Sequence, residues 1–262
     1  MTTAPPDAIY PPMSKHHHTS RQSGSQQNGS WLVGHHAVTR ALEVARRPVY
    51  EILCTDKHAD TYRELAAAKG IRVQVVDRQR LDGLSDQPHQ GVAASVGPLP
   101  EPKLKDLFES DLLVMLDQVT DPHNVGACVR SANAFGAAAV LVPSHHAPKD
   151  SPIIAKAAAG ALEDTPLVSV GNLNQALDGL KKEGFWVVGL DGHTETDLHT
   201  VDLKGKIVLV MGSEGEGMRQ LVRQNCDFLA RLPMVGTVES LNVSVATGIA
   251  LYEVRRQRHA NK

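Results

Sequence analysis

Aromatic residues make up only 4% of the 262-residue chain. Platforms on which successive bases of a single strand could stack are therefore sparse. Neither sign of charge dominates, since 27 Lys and Arg stand against 29 Asp and Glu for a net charge of -2. No broad basic field advertises nucleic acid. Cys54, Cys128 and Cys226 lie far apart and form no C-x-x-C pair. The usual signs of a zinc site or a disulfide framework are thus missing, and a reduced, cytoplasmic setting fits. His35-His36, His123 and His145-His146 have no partners at a ligand spacing, so no metal is expected. Apolar runs such as 137–142 fall far short of the roughly 20 residues that a bilayer requires. The first residues carry no hydrophobic signal region, so neither export nor membrane attachment is expected.

What is present is an α/β pattern in two parts. Residues 1–29 hold Pro5-Pro6, Pro11-Pro12, a His16-His17-His18 triplet and a Ser, Gln, Asn and Gly run, and read as a disordered, solvated tail. Residues 30–97 read as a small α/β domain, with helices over 37–46 and 60–69 and strands over 49–54, 71–76 and 92–96. Pro98, Pro100 and Pro102 mark a linker over 98–110, because proline fixes φ and interrupts both helix and ladder. Over 111–260, continuous apolar strands alternate with helices, which predicts a parallel sheet covered on both faces. The helix over 242–258 is apolar nearly all round through Leu251, so it is expected to be buried.

Three stretches place polar residues and glycines where strands end, the edge at which open α/β sheets bind ligands. In the first, DQVTDPHNVGACVR, Asn124 and Arg130 are six residues apart. A straight helix does not put such a pair on one face, so Asn124 belongs in the opening turn if the two are to meet. The second, MGSEGEGM at 211–218, carries three glycines directly after a buried strand. It lacks the Lys-Ser/Thr of a P-loop, and Glu214 and Glu216 would repel a pyrophosphate. A cofactor without phosphates, or with a positive centre, suits it better, while tight binding of NAD or ATP would restore the phosphate-loop alternative. The third, LPMVGTVESLNVSVA at 232–246, feeds a Ser240/Asn242 loop into the final helix, with Asn242 as its N-cap.

Together the three stretches resemble motifs 1, 2 and 3 of the SpoU/TrmH branch of the SPOUT RNA methyltransferases, in order, spacing and C-terminal position. VGHHAV and HQGVAASV extend the resemblance over about 31–258, with His35 standing where an apolar residue is usual. The resemblance implies a C-terminal SPOUT domain with a deep trefoil knot and an N-terminal domain that binds the RNA substrate. It implies S-adenosylmethionine as methyl donor and a homodimer with active sites near the subunit interface. By motif, Gly212, Leu232, Met234, Gly236 and Leu241 should hold the cofactor. Asn124, Arg130, Glu214, Ser240 and Asn242 match the polar positions of the reaction. The layout is most similar to the enzymes that methylate a guanosine ribose of 23S ribosomal RNA. Another ribosomal RNA nucleotide, a transfer RNA or a non-catalytic RNA-binding role stay open, since motifs encode chemistry better than address.

The reaction so implied is an in-line attack of a ribose 2′-hydroxyl on a sulfonium methyl, which needs alignment and removal of one proton. Arg130 is assigned an electrostatic role, because a guanidinium holds its proton too firmly to serve well as a base. Residues 29–98 carry 9 basic and 8 acidic side chains, and 99–262 carry 16 and 20. Phosphate contacts are therefore expected from particular positives: Arg40, Arg46, Arg47, Arg130, and the group Arg255, Arg256 and Arg258.

Overall fold

The computed structural model describes residues 29–85, 88–144 and 151–259. The tail with its His triplet, and His145-His146, lie outside the described residues. The first sheet holds β1 (Ser30–Val33), β2 (Val49–Cys54), β3 (Arg72–Val75) and β4 (Val92–Val96) in the order β1-β4-β2-β3. β4 is buried along its whole length because it runs antiparallel between β1 and β2. Helices α1 (His35–Val44), α2 (Ala59–Ala67) and the short α3 (Arg78–Asp82) connect the strands. β1 and α3 are absent from the sequence reading. Four and five residues respectively are too few to display a period, and β1 exists through its pairing with β4.

The second sheet is wholly parallel, with the order β10-β8-β9-β5-β6-β7. Its strands are β5 (Leu112–Leu116), β6 (Ala139–Pro143), β7 (Leu167–Val170), β8 (Trp186–Leu190), β9 (Ile207–Met211) and β10 (Phe228–Ala230). Helices α4 (Pro122–Ala134), α5 (Pro152–Ala157), α6 (Leu173–Lys182), α7 (Gln220–Gln224) and α8 (Val243–His259) cover it. In β5, Leu112, Val114 and Leu116 enter one core with α4 and α8, while Leu113 and Met115 enter the other with α6. That two-sided burial is why β5 reads as an unbroken apolar run.

The two sheets meet at an ionic joint. Arg40 grips Asp164 with Nε at 2.6 Å and Nη2 at 2.7 Å. Arg47 pairs with buried Glu163 at 3.0 Å, and Arg46 donates to the Glu163 carbonyl at 3.1 Å. Gly160, at φ +90°, leaves space for the His36 carbonyl that a Cβ would approach to 2.9 Å. His35 is half-buried and meets the Tyr62 hydroxyl through Nδ1 at 2.8 Å. Burial first, then the neighbouring His58 and His36, pushes its pKa down.

Two expectations are corrected here. Most of the arginines assigned to phosphate are engaged within the chain. Arg40, Arg46 and Arg47 form the joint, Arg255 donates to the Phe135 and Gly136 carbonyls, Arg256 pairs with Glu253, and Arg258 binds Asp111. A cluster of like charges in sequence shows nothing of the acceptors that folding brings to it. The final helix, in turn, is not buried all round: Val245, Ile249 and Tyr252 are 50%, 43% and 57% exposed. They recur at helical spacing and line a shallow groove with Ser131 of α4 and Phe135, the residue that ends that helix.

Candidate active site

The site grows from loops that leave the carboxyl ends of β5, β8, β9 and β10. Beyond β5, Asp121 caps α4 by accepting from the His123 amide at 2.9 Å, and Pro122 occupies the first turn, where its missing N–H costs nothing. Asn124 therefore sits in the opening turn of α4. After β9, the chain folds back on itself through paired Ser213–Gly217 backbone hydrogen bonds of 3.1 Å. A Cβ on Gly212 would come within 2.2 Å of the Gly217 backbone, so only glycine fits there. The tip of this loop carries Glu214 outward.

The third loop brings Asn242 to that tip. Asn242 Nδ2 donates to Glu214 Oε1 at 2.6 Å and to Asn124 Oδ1 at 3.0 Å. Its Oδ1 accepts from the Ser244 amide at 3.0 Å and so caps α8, while the Val243 amide donates to Glu214 at 3.2 Å. Three residues from three distant stretches thus form one hydrogen-bonded unit. A cleft of about 280 Å³ opens beside it, floored by Leu190, Met211, Leu232 and Leu241. Gly212, Glu214, Met234 and Ser240 also line it. Gly236 lies on the same loop but off the cavity wall. Arg130 lies further along α4, exposed, and is not brought to the Asn124–Asn242–Glu214 unit.

The charges of the cleft favour a cation. Four carboxylates, Asp191, Glu214, Glu216 and Glu239, line it. Its two arginines are already paired, Arg223 with Asp191 and Arg231 with Asp197. Burial alone would raise the Asp191 pKa, but hydrogen bonds from Arg223 and the His193 amide outweigh it and hold the carboxyl below its usual range. An apolar floor with surplus negative charge suits a sulfonium and an ammonium, the positive groups of S-adenosylmethionine, and repels a polyphosphate. Among the described residues, no cluster of His, Cys, Asp or Glu could hold a metal ion. No helix among them is long and apolar enough to cross a membrane.

Sequence reasoning missed Asp117, Gln118, Asp191 and His193. Asp117 carried one usable signal, an acid that ends an entirely apolar strand; the others look like ordinary loop residues until the strand ends are assembled.

A parallel sheet with a separate small α/β sheet, and a cation-favouring cleft at its carboxyl edge, define the class. The model of the SpoU rRNA methylase family matches residues 111–252, and that of the RNA 2′-O ribose methyltransferase substrate-binding domain matches 31–102. The chain belongs to the SpoU family. Its relatives include the 23S rRNA (guanosine-2′-O-)-methyltransferase RlmB of Coxiella burnetii, 45% identical over 87% of this chain and 96% of the relative. The RlmB of Pseudomonas aeruginosa is 47% identical, again over 87% of this chain and 96% of its own. The fold is also that of the SpoU methyltransferase AviRb from Streptomyces viridochromogenes, with a TM-score of 0.77 and 27% identity over 89% of this chain and 91% of AviRb. AviRb in complex with its cofactor AdoMet superposes with a TM-score of 0.76 at 27% identity, over 88% of this chain and 90% of that one.

Proposed function

We propose that this protein transfers a methyl group to the ribose 2′-hydroxyl of a guanosine in 23S ribosomal RNA. The observation that carries this reading is the Asn124–Asn242–Glu214 unit at the rim of a cleft built for a cation. S-adenosylmethionine, bound along Gly212, Leu232, Met234 and Leu241, supplies the sulfonium methyl. Asn124 and Ser240 orient the ribose, while Asn242, held by Glu214, keeps the Asn124 amide in place. Arg130, which has no partner among the described side chains, grips an RNA phosphate and favours the developing alkoxide. The 30–97 segment holds the RNA, the 111–260 segment performs the transfer, and 98–110 links them. The ribosomal substrate places the work in the cytoplasm.

Two structural expectations belong to the same reading. The first is a homodimer, formed through the exposed face of Val245, Ile249 and Tyr252. The second is the trefoil knot. Supporting it, β10 sits at the edge of the sheet beside β8, while α8 packs on α4 beyond β9, so that residues 231–242 recross the strand ends. The test of function is transfer of tritiated methyl from S-adenosylmethionine to unmodified ribosomal RNA, with the product mapped. One labelled guanosine ribose in the 23S molecule is expected. Label in transfer RNA or at another nucleotide would overturn the address, and cofactor binding without any transfer would overturn the catalytic reading.

A further inference from the structure

Asp117 is fully buried, yet no step of the reaction uses it. It follows the last residue of β5, and its amide donates to the Met211 carbonyl at 2.8 Å, extending the β5–β9 ladder by one bond. Its carboxylate spends both oxygens on one residue. Oδ2 accepts from the Arg219 amide at 2.8 Å and Oδ1 from the Arg219 Nε at 2.7 Å. Beside it Gln118, held at φ +61°, donates from Nε2 to the Gly217 carbonyl at 3.1 Å. A non-glycine residue keeps a left-handed backbone only where its surroundings impose it.

The excursion from Gly212 to Arg219 is therefore fastened at both ends to the two residues that follow β5. Its start is tied through Met211, and its end through Gly217 and Arg219. Between these anchors the loop forms one wall of the cleft and carries Glu214 to Asn242, which in turn reaches Asn124. Asn124 lies in the helix that Asp117 and Gln118 lead into, so the bonds close a ring beside the cleft.

We propose that Asp117 and Gln118 are positioning residues that set the shape of the 212–219 loop for binding of S-adenosylmethionine. This rests on the reading of the cleft as the cofactor site. Neither side chain lines the cleft. Both act through the loop backbone, Asp117 by charge-assisted bonds from within the protein and Gln118 by a single bond at its margin.

The test is calorimetric titration of S-adenosylmethionine into the full chain, its Asp117→Asn, Gln118→Ala, Arg219→Ala and Arg219→Lys variants, with initial rates measured alongside. Asp117→Asn and Arg219→Ala are expected to raise the cofactor Kd roughly ten-fold or more, and Gln118→Ala several-fold. Arg219→Lys, which can still donate to Oδ1, is expected to recover most of the affinity. KM for the cofactor should rise with Kd while KM for RNA stays within about two-fold, a split that general loosening would not produce. If Asp117→Asn fails to fold, Gln118→Ala carries the test, because its bond lies outside the core. Unchanged cofactor affinity in folded Gln118→Ala and Arg219→Ala proteins would overturn the proposal. A parent protein that bound no S-adenosylmethionine would instead overturn the reading of the cleft.

Discussion

At the scale of single residues, the site separates groups that build from groups that act. Asn242 has both side-chain polar atoms engaged within the protein, whereas the Arg130 guanidinium has no partner among the described residues. Their substitutions should therefore fail differently. Arg130→Ala is expected to lower kcat about 100-fold while the cofactor Kd stays within two-fold, because Arg130 does not line the cleft. Single-turnover methylation paired with calorimetry checks both halves. Asn242→Asp keeps the oxygen that caps α8 but replaces the donor to Glu214 with a second carboxylate. Activity should fall about ten- to hundred-fold with helix content unchanged, read by circular dichroism beside the same assay. These residues stood out in the sequence because three stretches agreed with the motifs of one family in order and spacing. Their division of labour did not, since the 3.0 Å bond between Asn124 and Asn242 spans 118 positions.

At the scale of elements, apolar strands announced themselves and their neighbours did not. β5 and β9 are buried on every residue and read as unbroken apolar runs, so the parallel sheet could be anticipated. Sheet order leaves no such trace, nor does the exposed stripe of α8. The stripe looked like core because apolar residues at helical spacing say only that something covers them, not whether it belongs to the same chain. If a second copy covers it, Ile249→Arg should convert the dimer to monomer in sedimentation velocity, with the monomer still folded. An unaltered sedimentation coefficient for both proteins would remove this face from the interface.

At the scale of the whole molecule, one of the ion pairs that join the two sheets is withdrawn from water. The Arg47–Glu163 pair leaves Arg47 only 8% and Glu163 only 2% exposed. Burial pushes the Glu163 carboxyl up, against the pull of Arg47. The folded chain then keeps this proton to a higher pH than the unfolded chain does. The stability contributed by the carboxyl is full below the ordinary glutamate range and declines as pH rises through the raised value. Thermal unfolding across mildly acidic pH should show that decline, and Glu163→Gln should abolish it. Nothing in the local sequence of either residue distinguished this joint from solvated charge.

The bond between Asn242 and Asn124 also sets an order of events. Strands β5 and β6 can pair soon after they are made, since few residues separate them. The cleft cannot close until residues 240–243 have returned across 118 positions of already collapsed chain. Because α8 continues directly from these residues and supplies Val243, Ala250, Leu251 and Val254 to the core beside β5, that face of the core and the cleft are completed in the same step.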